Sequence, residues 1–171
     1  MTISEAIKTL EQFIMNPRKG LPEEIFLFIS RLTPLVNVDL LIKDEKGRIL
    51  LSWRDDEYAG TGWHLPGGIV RFKEKMAERV LKVAETEIGT PVEFKPEPIA
   101  INEIFCSQDI RGHFISFLYQ CYLPSSFVPK NEGLKETDRG YLMWHNKCPE
   151  NLIKIHEIYR KYIDGDCYAS K

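Results

Sequence analysis

The sequence predicts an α/β fold: an α/β/α sandwich around a central mixed β-sheet, with a helical extension at the N-terminus. Three observations predict it. β-forming runs lie both before and after one amphipathic helix near the middle of the chain. Helical patterns flank that arrangement at both ends. No internal repeat or low-complexity linker divides the 171 residues. Strands on either side of a central helix, with further helices outside them, imply a sheet covered on both faces. The chain reads as one domain, with an extension over residues 1–33, a core over 35–145 and a C-terminal helix over 149–163.

Taken in order, Thr2 and Glu5 have the spacing of a capping box, and Ile3, Ile7, Leu10 and Ile14 follow at helical intervals. Asn16-Pro17 and Gly20 break that helix. Leu21-Pro22-Glu23-Glu24 restarts one, with proline at the first helical position and acids in the first turn, running to about Leu32. This two-helix head serves either as a lid or dimer contact or as a pair packed on the sheet. Residues 36–42 and 49–53 read as strands joined by the turn Asp44-Glu45-Lys46-Gly47, and β-rich runs follow at 99–105, 113–123 and 140–145. Pro149-Glu150 opens a last helix whose Leu152, Ile155, Ile158, Tyr159 and Tyr162 form a one-sided apolar stripe.

A hydrophobic content of 43% suits one compact domain. A net charge of −2, from 23 basic and 25 acidic residues without a dense basic cluster, argues against nucleic-acid or membrane partners. There is no apolar leader and no run near the roughly 20 residues that span a bilayer. Cys106, Cys121, Cys148 and Cys167 are widely spaced, as reduced thiols of a cytoplasmic protein would be.

The most informative stretch is Trp63-His64-Leu65-Pro66-Gly67-Gly68-Ile69-Val70, then Glu74, then a helical run to Glu87-Ile88-Gly89. The glycine pair is expected to allow positive φ and a close approach of backbone to ligand. Ala77, Val80, Leu81, Ala84 and Ile88 fall on one helical face that must pack on the sheet, while Glu74, Glu78, Lys82 and Glu85 gather on another. A Pro-Gly-Gly turn, a carboxylate six residues on and a helix closed by Glu-x-Gly resemble the Nudix box, and the likeness covers roughly residues 35–145. The resemblance implies a Nudix-like sandwich and a Mg²⁺-dependent hydrolase. The family pairs its first Glu with an Arg, here Glu74 and Lys82, so Glu74 is read as structural. The three metal-face carboxylates map onto Val83, Thr86 and Glu87, of which only Glu87 is acidic. One carboxylate supports one hard cation, completed by a carbonyl, water and phosphates.

That depleted ladder resembles the GDP-mannose mannosyl hydrolase branch, with Lys for Arg at 82 and Thr for Ala at 86. Thr33-Pro34-Leu35-Val36-Asn37-Val38-Asp39 resembles the branch's Thr-Pro-Leu-Val-x-x-Asp, and Arg54 matches a substrate-binding arginine. The resemblance implies displacement at the anomeric carbon of a nucleotide sugar such as GDP-mannose by a homodimeric enzyme. By position, the Gly67 carbonyl and Glu87 would bind Mg²⁺, Gly68 would approach substrate, Arg54 would contact the diphosphate and Asp39 would position substrate.

Three departures stand out. Ile69 replaces an arginine, and Asp138 and Arg139 replace a Gln-His pair. Asp138 is a possible third metal ligand, but Arg139 stays protonated and cannot serve as base. Glu132 and Glu136 in the same loop are the preferred substitutes, ahead of His113. His64 borders the box, while His145 and His156 read as structural. Trp53, Trp63 and Tyr58 either stack on a base or belong to the core. The readings rank as nucleotide-sugar hydrolase, then pyrophosphohydrolase, then a binding module without turnover.

Overall fold

The computed structural model describes residues 1–165. Its centre is an eight-stranded sheet. The strands are β1 (Leu35–Lys43), β2 (Ile49–Asp56), β3 (Gly60–His64), β4 (Gly67–Ile69), β5 (Glu93–Phe94), β6 (Ala100–Phe105), β7 (His113–Tyr122) and β8 (Leu142–His145). β1 runs parallel to β7, with Leu35 opposite Phe114 and Lys43 opposite Tyr122. The other pairings are antiparallel, so the sheet is mixed.

Helices cover both faces, as the sequence predicts. On one side α3 (Met76–Val83) packs Val80 and Val83, with Ala84 and Ile88 beyond it, on Val38, Leu40 and Ile42 of β1. On the other, Tyr159 and Ile163 cover Leu41, Leu51, Trp53, Trp63 and Leu118. These two come from a 3₁₀ turn, Lys154–Tyr159, and the short α4, Arg160–Ile163. Burying about 1.5–3 kcal/mol of transfer free energy per large side chain on each face holds the layers together. No helix among the described residues is long and apolar enough to cross a membrane.

The N-terminal head departs from expectation. α1 (Ile3–Glu11) forms its Thr2–Glu5 capping box but buries none of its residues, so it is not packed on the sheet. Ile14 lies beyond its end. α2 (Glu23–Ile29) is capped by Pro22, ends three residues before Leu32 and buries only Ile25. The C-terminal stretch also differs: residues 149–153 are not helical, because Leu152 bridges to Trp63 and draws the chain onto the sheet edge. Cys106, Cys121 and Cys148 are free thiols, and Cys167 lies outside the described residues.

Candidate functional site

Two glycine-bearing strands, β3 and β4, build the site. β4 pairs with β1 so that Gly67 faces Asp39 and Gly68 faces Val38. Neither glycine needs positive φ, contrary to the expectation for this pair. Gly67 is required by space: a Cβ there would stand 2.3 Å from Asp39 Oδ1 and 2.7 Å from the Val38 carbonyl. At Gly68 a Cβ would meet Val83 Cγ2 at 3.0 Å. Val83 thus fills, as core, a place where a carboxylate would have pointed at the box.

Past Val83 the helix widens into a π turn, Ala84–Ile88, closed by the Gly89 N–H on the Ala84 carbonyl at 3.0 Å. Gly89 takes φ 76°, the left-handed cap that suits glycine. Such single π turns often mark functional sites. This one carries Glu87, partly buried, toward the Gly67 amide. Desolvation pushes the Glu87 carboxyl up to about 7, opposed by Arg54 and by the Gly67 N–H. No basic group among the described residues forms an ion pair with Glu87. A desolvated carboxylate without a bonded counterion fits one hard cation. Among the described residues no three His, Cys, Asp or Glu side chains converge, so the protein can offer such a cation few other anionic ligands.

Glu74 is structural, but its partner is Arg79 and not Lys82. Glu74 Oε2 lies 2.8 Å from both Arg79 Nε and Arg79 Nη2 and accepts the Arg71 N–H at 2.8 Å. Glu74 precedes the first turn of α3, within reach of Arg79, whereas Lys82 pairs on the surface with Glu85 at 2.8 Å.

Asp39 lies buried at the floor of a cleft beside Gly67. Its Oδ2 accepts Ser116 Oγ at 2.5 Å and Tyr159 OH at 2.6 Å. Burial raises its carboxyl above the ordinary range, against the pull of those hydroxyls. His156 Nδ1 accepts the Leu65 N–H at 3.1 Å, which leaves the ring proton on Nε2, 4.0 Å from Asp39 Oδ1. Burial pushes His156 down to about 3, so this contact is not an ion pair near neutral pH. His64 lines the same cleft and donates Nδ1–H to the Ser52 carbonyl at 2.7 Å, leaving Nε2 as an acceptor; burial holds it also at about 3.

Arg54 extends from β2 into the cleft, its Nε 2.5 Å from Asp56 Oδ2. The loop over residues 130–141 is pinned to the same strand. Gly140 N–H bonds the Trp53 carbonyl, and Trp53 N–H bonds the Tyr141 carbonyl. Asn131 clamps both backbone groups of Leu142. Within that loop the structure does not bring Asp138 to Glu87: Asp138 Oδ2 accepts the Lys135 N–H at 2.8 Å and closes its own turn. Its neighbour Arg139 is the residue whose charge reaches Glu87. Glu132 and Glu136 are exposed and do not line the cleft. Nor does His113, which stacks on Phe105 and faces Glu103. Trp53 and Trp63 pack edge to face in the core, 5.2 Å apart, whereas Tyr58 lines the cleft. Arg111, from the loop between β6 and β7, lines it too and carried no motif to announce it.

A family model described as the NUDIX domain matches residues 33–147. The "Low-salt glycan biosynthesis protein Agl8" of Haloferax volcanii is 29% identical over 144 residues, covering 74% of this chain and 92% of that one. A MutT protein from Methanosarcina mazei superposes with a TM-score of 0.60 at 19% identity, covering 77% of this chain and 94% of its own. A MutT NUDIX hydrolase from Burkholderia pseudomallei gives 0.61 at 23%, covering 75% and 97%. These two structures share the fold.

Proposed function

The chain belongs to the NUDIX hydrolase family, and from that premise we propose that it hydrolyses a nucleotide sugar of the GDP-mannose type, releasing GDP and the free sugar. The observation that carries this reading is the solitary Glu87 beside Gly67, with Val83 built into the core and Thr86 bonded back to the Lys82 carbonyl at 2.8 Å. A site with one carboxylate on its metal face is poorly equipped for multi-metal attack on phosphorus. It suits displacement at carbon, where the diphosphate leaves as an anion. The likeness to a protein named for glycan biosynthesis supports a sugar-bearing substrate.

Glu87 and the Gly67 carbonyl would hold Mg²⁺, which when bound neutralises charge on the diphosphate. The chain's own residues supply the rest. Arg54 stabilises the charge that grows on the departing GDP. Asp39, fixed by Ser116 and Tyr159, sets the floor against which the ligand lies. Water adds its oxygen to the anomeric carbon as the bond to the diphosphate oxygen breaks. His64 Nε2 is the neutral acceptor that the cleft offers to orient that water or a sugar hydroxyl. Its depressed pKa makes it a weak base, and Glu132 or Glu136 would need the loop to move before taking the proton.

This weakness at the base favours a second reading, a module that binds a nucleotide sugar without turning it over. One assay separates the readings. Incubation with GDP-mannose, Mg²⁺ and ¹⁸O-water should give GDP and sugar labelled at the anomeric oxygen. GMP and sugar phosphate would point to attack on phosphorus, and binding without products to the module. The cytoplasmic homodimer expected from the sequence belongs to the same proposal, and light scattering of the purified chain tests its dimeric part.

A further inference from the structure

Among the described residues Arg111 makes no ion pair. Its backbone adopts φ 54°, a left-handed conformation costly for a side chain of this size. The strain is held by the Arg111 N–H, which donates to Ser30 Oγ at 3.1 Å at the end of α2. The guanidinium carbon lies 5.2 Å from the Tyr58 ring centre and 6.0 Å from that of Phe26. These two rings come from separate elements, and Gln108 secures the first by donating to the Tyr58 carbonyl at 3.1 Å. Aromatic faces orient a guanidinium but accept none of its five in-plane N–H donors. Arg111 Nε is buried without a hydrogen-bond partner.

The surroundings make this more than an unpaired surface charge. Arg111 lines the same cleft as Arg54 and Gly67 and feels the like charges of Arg54 and Arg139 as well as the opposite charge of Asp56. Arg54 already shares its charge with Asp56. Arg54 and Arg139 each act on both Glu87 and Arg111. A cleft lined by two arginines, one of them with a buried Nε–H left without an acceptor, fits an extended anion with two charged groups. Ile69, on the same cleft wall, offers no charge of its own.

We propose that Arg111 is a substrate-binding residue that takes the phosphate oxygens of a diphosphate in the cleft it shares with Arg54 and Gly67. The class of ligand rests on the nucleotide-sugar reading, but the assignment of Arg111 needs only the diphosphate. A planar fork held between two rings meets a phosphate bidentately, with little rotamer entropy left to lose.

The test uses inorganic pyrophosphate with Mg²⁺ as the charged probe and guanosine as the uncharged one. Titration calorimetry is run on the wild type, R111M and R111K. R111M should bind Mg²⁺-pyrophosphate at least tenfold more weakly, with guanosine unchanged. R111K, keeping charge but not the fork, should fall between. In the wild-type protein the Arg111 Nε–H resonance should shift on adding Mg²⁺-pyrophosphate, a readout that survives even if a variant fails to fold. Pyrophosphate affinity within twofold of wild type in R111M, or a resonance that does not move, would overturn the assignment. Arg111-dependent pyrophosphate binding in a wild-type protein that does not hydrolyse GDP-mannose would overturn the substrate reading alone.

Discussion

Asp39 Oδ1 and Gly67 are in such close contact that any side chain at 67 would collide with the carboxylate. The two face each other across the β1–β4 pairing, and Asp39 cannot retreat because Ser116 and Tyr159 hold its other oxygen. Gly67→Ala should therefore destabilise the fold by about 2–4 kcal/mol in urea denaturation, since backbone as well as side chain blocks the added methyl. Gly68→Ala meets only the Val83 methyl and the Arg79 stem, which can shift, and should cost less than half as much. Equal costs at the two positions would mean that β4 is free to peel from β1.

The contrast between two glutamates gives a second prediction. Glu87→Gln should abolish Mg²⁺-dependent binding or turnover while leaving the fold intact, because Glu87 carries no ion pair. Glu74→Gln should leave metal affinity within a few-fold. It should instead lower stability by about 1–3 kcal/mol, since its bonds to Arg79 and the Arg71 N–H are largely shielded from water. Calorimetric Mg²⁺ titration and thermal unfolding of both variants separate the roles. Equal loss of metal affinity in the two would contradict the assignment.

How far these residues could be read from the sequence depends on whether their partners are local. Glu87, Val83 and Thr86 sit at fixed intervals on one helix, so counting located the surviving carboxylate, and Arg54 and Asp39 followed from short flanking patterns. β4 escaped because its glycines read as turn, and only pairing with β1 makes it a strand. The Glu74–Arg79 pair escaped because Glu74 precedes α3, where helical angles do not apply. Arg111 had no local signal: its position depends on the β6–β7 turn lying beside Tyr58 and α2. Asp138 has a local partner that the loop's polarity did not reveal: three residues after Lys135, its carboxylate bonds its own turn.

Acid should weaken the fold through its buried histidines. His64 and His156 have native pKa values depressed to about 3 from an ordinary 6.5. Between those limits the unfolded chain binds the protons that the native state refuses, so stability is retained above pH 6.5 and lost as pH falls below it. Each histidine contributes about 1.4 kcal/mol per pH unit to that fall. Glu87, raised to about 7 in the metal-free protein, works the other way and offsets one histidine down to pH 4.5. Asp39, also raised by burial, opposes the histidines in the same direction as Glu87, so urea unfolding without Mg²⁺ should show a loss between pH 6.5 and 4.5 that is smaller than the two histidines alone would give. A flat profile would mean that one ring is protonated or solvated in the native state.

Arg54 is expected to act on the transition state more than on bound substrate. Its partner Asp56 also accepts the Tyr58 and Ala59 N–H groups, so the turn that presents it persists without the guanidinium. Arg54→Ala should lower kcat by about 100-fold with a much smaller change in KM, as loss of an electrostatic stabiliser of a leaving group does. Unchanged turnover would assign Arg54 to the Asp56 turn alone.

Arg139 is where the proposed chemistry is weakest, and it offers the last prediction. Gly140 and Tyr141 are bonded to the Trp53 backbone, so the chain at residue 139 is held beside β2 whatever its side chain. As arginine it adds positive charge near Glu87 but no lone pair for a proton. A histidine there, with an ordinary pKa near 6.5, would present a neutral acceptor at pH 7.5 at a site already fixed by backbone bonds. Arg139→His should therefore raise GDP-mannose turnover by about 10-fold or more, within the range a positioned base supplies. The gain should appear as pH rises through about 6.5, where the imidazole loses its proton. Arg139→Gln, uncharged but unable to take a proton, separates base from charge: a gain of equal size in both variants would assign the effect to removal of the positive charge.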